Sequence, residues 1–136
     1  MKIVFVGTGY VGLVSGVCFS EFGFTVTCVD KDKSKIEMLH AGKAPIYEPG
    51  LEELMHSNVK AGRLFFSDNL AEALKDADVV FIAVGTPTRY DDSYGYADLS
   101  YVFAAAAEIA RSSNKYILVV TKSTVPAGTG RKIAEV

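Results

Sequence analysis

Three glycines near the N-terminus constrain this chain more than any other feature. Lys2-Ile3-Val4-Phe5-Val6 is a short apolar strand that runs straight into Gly7-Thr8-Gly9-Tyr10-Val11-Gly12. Glycine at these three places lets a strand turn into a helix with almost no loop between them. Val11 to Phe22 reads as that helix, with Leu13, Val14, Val17, Cys18 and Phe22 on one face. Gly23 ends it, Thr25 to Val29 is a second strand, and Asp30 closes that strand. The acid lies about 18 residues after Gly12, near the interval at which such units place a ribose-binding carboxylate. Strand, G-x-G-x-x-G, helix, strand and acid in this order predict a dinucleotide-binding βαβ unit.

The remaining chain repeats the alternation. Asp32 or Ser34 can cap a helix through Leu39, stopped by Gly42. Lys43 to Gly50 is irregular, and Leu51 to His56 is a short helix. Arg63 to Phe66 is a third strand, and Ser67 or Asp68 caps a helix to Lys75. Asp78 to Val84 is the most apolar strand, as expected of a central strand buried on both faces. Gly85 to Tyr96 reads as a polar loop. Asp98 caps a helix to about Ser112, with Leu99, Val102, Phe103, Ala106, Ile109 and Ala110 as its stripe. Tyr116 to Thr121 is the fifth strand, Pro126 to Thr129 a turn, and Arg131 to Val136 the start of a helix.

The fold class is therefore α/β, a Rossmann-type doubly wound parallel sheet in order 3-2-1-4-5. The chain ends inside an element. It is expected to be one dinucleotide-binding domain, residues 1–136, of a longer protein, truncated before a sixth strand. The fifth strand then becomes an open edge prone to association.

Composition removes several classes. A net charge of -2 argues against nucleic acid, and no apolar run is long enough to span a membrane. The N-terminus does not read as a signal peptide, and Cys18 and Cys28 sit among apolar neighbours as reduced thiols. A cytoplasmic setting is expected.

Each residue of the glycine turn has a separate task. Gly7 permits the turn, Gly9 leaves room for a pyrophosphate, and Gly12 lets helix and strand pack closely, with Gly16 extending that face. The Tyr10 and Val11 amides open the helix and can donate to phosphate oxygens. Two acceptor oxygens of Asp30 suit the two ribose hydroxyls and repel a 2′-phosphate, which favours NAD over NADP. Lys31, Lys33 and Lys35 weaken that preference, because a nearby cation can tolerate a phosphate. FAD and S-adenosylmethionine domains use similar turns.

Ligands of open parallel sheets sit at the carboxyl ends of the strands. Gly85-Thr86-Pro87-Thr88 and Lys122-Ser123-Thr124-Val125-Pro126 should line the same crevice, offering hydroxyls on proline-stiffened turns. Taken alone, Thr86 and Thr124 are ordinary loop residues. His40 and His56 read as surface residues and Arg89 as an exposed loop residue. Asp91-Asp92 lacks the further ligands a metal needs, so no metal is expected. Tyr90, Tyr94 and Tyr96 are candidates for adenine or inter-domain contact.

Four segments together carry a resemblance. Gly7 to Leu13, Pro45-Ile46-Tyr47-Glu48-Pro49-Gly50-Leu51, Val84 to Thr88, and Lys122 to Pro126 resemble the nucleotide-sugar dehydrogenases, in order and spacing, across nearly the whole chain. The Lys-Ser-Thr-Val-Pro form resembles the UDP-glucose branch more than the GDP-mannose branch. The resemblance implies oxidation of UDP-glucose to UDP-glucuronate with two NAD, through an aldehyde trapped by a cysteine and a thioester that water hydrolyses. It implies that Asp30 holds the adenosine ribose with Lys35 beside it, and that Thr86 touches the cofactor. It further implies that Thr124 supports the chemistry near the nicotinamide by orienting a water or developing alkoxide.

The resemblance also places the catalytic cysteine, the general-base carboxylate, a lysine, the sugar-nucleotide site and a dimer-forming helix beyond Val136. Cys18 and Cys28 do not match the motif of that cysteine. The chain alone is thus expected to bind NAD without oxidising the sugar, and the longer protein to be a homo-oligomer. The alternatives are a GDP-mannose or UDP-N-acetylmannosamine dehydrogenase domain, or a stand-alone binding module.

Overall fold

A computed structural model describes residues 1–91 and 94–136. Asp92 and Ser93, and the metal reading of Asp91-Asp92 with them, lie outside the described residues. Five strands form one parallel sheet in the order β3-β2-β1-β4-β7. They are β1 (Lys2–Val6), β2 (Thr25–Val29), β3 (Leu64–Ser67), β4 (Val79–Ile82) and β7 (Leu118–Thr121). This is the expected doubly wound sheet, its fifth strand numbered β7 because a hairpin intervenes. Strand β1 is central, and Ile3, Val4, Phe5 and Val6 are all buried.

The helices are α1 (Tyr10–Glu21), α2 (Lys33–His40), α3 (Leu51–Lys60), α4 (Leu70–Leu74), α5 (Ser100–Ser112) and α6 (Thr129–Ala134). One core layer joins Ile3, Phe5, Val26 and Cys28 of the sheet to Leu13 and Val17 of α1, with Leu39 and Met55 beyond. The other joins Val4, Val6, Val80 and Ile82 to Leu74, Val102 and Ile109. Burying these side chains on both sides supplies the main driving force for folding.

Several local expectations change. Strand β4 buries Val80 and Ile82, while Val79 and Phe81 are only half-buried. Helix α1 lies over β1 and β2 and reaches Phe81 through Phe19, so Phe81 stacks instead on Phe5 at 4.7 Å. Asn69, not Ser67 or Asp68, caps α4 by accepting from the Glu72 amide, while Ser67 Oγ accepts from the Asn69 amide. Helix α3 runs four residues past His56 to Lys60, and Asn58 in this added turn is buried and hydrogen-bonded to Glu21. In α5 it is Ala105 that is buried and Ala110 that is exposed.

The stretch expected as a polar loop contains an antiparallel hairpin, β5 (Thr88–Asp91) with β6 (Tyr94–Ala97). Thr88 and Arg89-Tyr90 face Ala97, Tyr96 and Gly95 in register. β-Branched Thr88 and aromatic Tyr90 on one arm and aromatic residues on the other favour this pairing, whatever their polarity.

Both cysteines are free, and Cys28 is fully buried. Burial pushes its thiol up to about 12. Cys28 is therefore a neutral thiol across the working pH range, and only thiolate reacts quickly. A disulfide-exchange reagent should titrate at most Cys18 in the native chain. Cys28 should react only after denaturant unfolds it, and rapid native modification of Cys28 would contradict this packing.

Candidate functional site

The crevice lies beyond the ends of the paired central strands β1 and β4, where the chain order of the sheet reverses from β3-β2-β1 to β4-β7. It has a volume of about 720 Å³ and opens at the carboxyl ends of the strands. Its floor is the glycine turn, and each glycine there is required for a different reason. Gly7 has φ +105°, and a Cβ on it would lie 2.6 Å from the Ala83 carbonyl oxygen. Gly12 is beneath the crevice, where a Cβ would collide with the Gly7 carbonyl. Gly9 has neither constraint: its φ is -77° and a Cβ would meet nothing within 4 Å. The space above Gly9 opens into the crevice. Helix α1 begins there with no side-chain cap and no acid in its first turn, so its leading amides stay available to an anion.

Asp30 forms the far wall. Its side chain is 15% exposed. Oδ2 accepts from the Thr8 amide at 2.8 Å and from the Thr8 hydroxyl at 2.7 Å, and Oδ1 accepts from the Asp32 amide at 3.0 Å. Lys35 Nζ stands 3.8 Å from Oδ2. Burial pushes the carboxyl up. The Asp32 amide, both Thr8 donors and the Lys35 charge outweigh it and hold Asp30 below its ordinary value. Asp30 is thus an ionised, pre-aimed acceptor at neutral pH.

All three neighbouring lysines face acids. Lys31 Nζ is 2.6 Å from Glu108 across the crevice, Lys33 Nζ 3.9 Å from Asp68, and Lys35 pairs with Asp30 itself. The lysines that seemed able to accept a 2′-phosphate are already opposed by carboxylates.

On the opposite wall, Thr86 and Thr124 meet, with hydroxyl oxygens 2.9 Å apart. Ser123 arranges this. Its hydroxyl donates to the Val84 carbonyl at 2.7 Å and its amide to the Ile82 carbonyl at 3.0 Å, fastening the Lys122–Pro126 turn to the end of β4.

Of the residues singled out in the sequence, Gly7, Gly9, Tyr10, Val11, Asp30, Lys35, Thr86 and Thr124 all line the crevice. Gly12 supports it from below. Tyr90 and Tyr96 do not line it; they are exposed on the hairpin, as is Arg89. His40 and His56 are exposed. Sequence reasoning gave Thr8 and Glu108 no role of their own, and it offered the Ser123 hydroxyl to a ligand where the structure spends it on the Val84 carbonyl. No described helix is long and apolar enough to cross a membrane.

Residues 1–136 match the UDP-glucose/GDP-mannose dehydrogenase family, NAD binding domain. The chain is 59% identical over 136 residues to a UDP-glucose 6-dehydrogenase of Rhizobium meliloti, covering 100% of this chain and 31% of that enzyme. It superposes on a UDP-glucose dehydrogenase from Pyrobaculum islandicum with TM-score 0.89 and 44% identity, covering 98% of this chain and 32% of that one. A GDP-mannose dehydrogenase from Pseudomonas aeruginosa, solved as a ternary complex, gives TM-score 0.89 and 39% identity over 98% of this chain and 30% of its own. The chain thus spans less than a third of these relatives. With the sheet order, the open glycine turn and Asp30 in place, it belongs to the UDP-glucose/GDP-mannose dehydrogenase family as the NAD-binding domain.

Proposed function

We propose that this chain is the coenzyme-holding part of a protein that oxidises the C6 alcohol of UDP-glucose to the carboxylate of UDP-glucuronate. The observation that carries the reading is the cradle itself: an unobstructed Gly9 and an open helix start on one side, and a fixed, ionised Asp30 on the other. Gly7, Gly9 and the Tyr10 and Val11 amides would hold the diphosphate, and Asp30 the adenosine ribose with Lys35 beside it. Thr86 and Thr124 would line the nicotinamide end. NAD supplies a hydride acceptor when bound. The Thr86–Thr124 hydroxyl pair can orient a water or an alkoxide oxygen there. A threonine alkoxide is too basic to be present at neutral pH, so Thr124 would not serve as general base unaided.

UDP-glucose is favoured over GDP-mannose by the 59% identity to the R. meliloti enzyme and by the Lys122-Ser123-Thr124-Val125-Pro126 segment. The opposed lysines favour NAD over NADP. The free, buried Cys28 suits a reducing, cytoplasmic setting. The covalent steps and the sugar site would be contributed by other parts of a longer, homo-oligomeric protein.

A calorimetric titration of NAD into the chain tests the cradle. Asp30→Ala should weaken NAD by about tenfold, the scale of a lost hydrogen bond to a charged group. NADP should bind more weakly than NAD. Because Asp30 is held below its ordinary value, its contribution is present above the usual carboxylate range near pH 4 and is lost as pH falls through the depressed value. NAD affinity should therefore stay flat from pH 7 to about 5 and fall only in stronger acid. Unchanged affinity in Asp30→Ala would refute the ribose contact. Release of two NADH per UDP-glucose, by a longer protein carrying this chain, tests the reaction.

A further inference from the structure

We propose that Thr8, the variable residue between the first two glycines of the turn, is the positioning residue for the ribose site. Its amide and hydroxyl clamp one oxygen of Asp30 and leave the other to meet the coenzyme. The inference deepens the NAD reading and rests on Asp30 being the ribose acceptor.

Three observations carry it. Thr8 is fully buried, so its hydroxyl has lost water and needs a protein partner. That partner is Asp30 Oδ2, which takes the hydroxyl at 2.7 Å and the Thr8 amide at 2.8 Å. A carboxylate oxygen has two in-plane lone pairs, so Oδ2 is fully occupied. Oδ1 accepts only the Asp32 amide at 3.0 Å among the described residues. The free lone pair is therefore on Oδ1, so Asp30 offers one acceptor oxygen where the sequence suggested two. Thr8 cannot itself reach a ribose from its buried position; it acts by fixing the Asp30 carboxylate plane.

The same contact joins the two ends of the cradle. Thr8 stands between Gly7 and Gly9, which shape the phosphate floor, while Asp30 ends β2. One side chain thus sets the distance between the diphosphate grip and the ribose grip. An error there would weaken both at once.

The test compares Thr8→Val, which keeps shape and amide but lacks the hydroxyl, with Thr8→Ser, which keeps the hydroxyl. NAD is titrated into wild type, both variants, Asp30→Ala and the double variant Thr8→Val/Asp30→Ala, with thermal melts alongside. Thr8→Val should weaken NAD about five- to tenfold. Thr8→Ser should stay within about twofold of wild type. On the Asp30→Ala background, Thr8→Val should change nothing further. The acid limb of NAD binding should move to higher pH in Thr8→Val, because a donor to the ionised carboxylate is gone.

Wild-type affinity in Thr8→Val, with Asp30→Ala weakened, overturns the inference and leaves the NAD reading standing. An equal loss from Thr8→Val with and without Asp30 also overturns it, since that marks a merely structural role. Unchanged affinity in Asp30→Ala defeats the NAD reading instead. Should Thr8→Val lose its fold, Thr8→Ala carries the same comparisons.

Discussion

Gly9→Ala should keep its fold and bind NAD at least about tenfold more weakly, while Gly12→Ala should be destabilised by about 3 kcal/mol. The two glycines belong to one motif, yet opposite outcomes are expected. An alanine Cβ at residue 12 would overlap the Gly7 carbonyl oxygen and press on Ala83 Cβ at 3.3 Å. Helix α1 cannot retreat, because Leu13 and Val17 are buried against β1 and β2. Overpacking of this kind against backbone costs about 3 kcal/mol, a large share of the stability of a domain this size. At residue 9 the added methyl meets no protein atom within 4 Å. Its cost to folding should stay within about 1 kcal/mol, mostly from the poorer helix cap. Its methyl would occupy the space a diphosphate needs, so NAD should weaken by at least about tenfold. Urea melts and NAD titrations of both variants decide the matter. Full NAD affinity in a folded Gly9→Ala chain would mean that the diphosphate does not sit there.

Asn58→Leu should give the second largest effect, on stability alone. Asn58 is fully buried. Its Nδ2 donates to Glu21 Oε2 at 2.7 Å and to the Leu54 carbonyl at 2.9 Å. Its Oδ1 accepts from Arg63 Nη2 at 2.8 Å and Nε at 3.1 Å, and Nε also donates to the Ser20 carbonyl at 3.0 Å. Asn58 therefore holds the Arg63 guanidinium against the carboxyl end of α1, where a cation is favourable. Leucine has a similar size but strands the partners that surround Asn58. The expected cost is about 2–4 kcal/mol in a urea melt. The network lies a full helix length from the crevice, so NAD affinity of the folded protein should be unchanged. A loss of NAD affinity without a loss of stability would contradict this assignment.

The parts of the fold that were legible in the sequence are those set by local pattern. Strands Lys2–Val6 and Thr25–Val29 run where their apolar periods place them, and the sheet order follows from strand–helix alternation. The separate task of each glycine in the turn was legible as well, and the coordinates add the atoms involved, Gly7 against the Ala83 carbonyl and Gly12 against that of Gly7. The hairpin at Thr88–Ala97 was hidden because its strands are polar and lie outside the core. Helix α3 was read short because burial of Asn58 depends on Arg63 and Glu21, which belong to other elements. The site showed the same division. That Asp30, Thr86 and Thr124 would line one crevice was legible from motif positions. The Thr8–Asp30 clamp, the Lys31–Glu108 pair and the Ser123 anchor were not, because each joins residues far apart in the chain. Tyr90 and Tyr96, candidates in the sequence for adenine or inter-domain contact, stand exposed on the hairpin and do not line the crevice.

Ser123 gives the opposite wall of the crevice an unusual property. By lashing its turn to the carbonyls of Ile82 and Val84, it makes Thr86 and Thr124 ride together as one rigid body. Their contributions are therefore not separable quantities. A substitution that displaces one hydroxyl should displace the other, and removing both should forfeit little more than removing either.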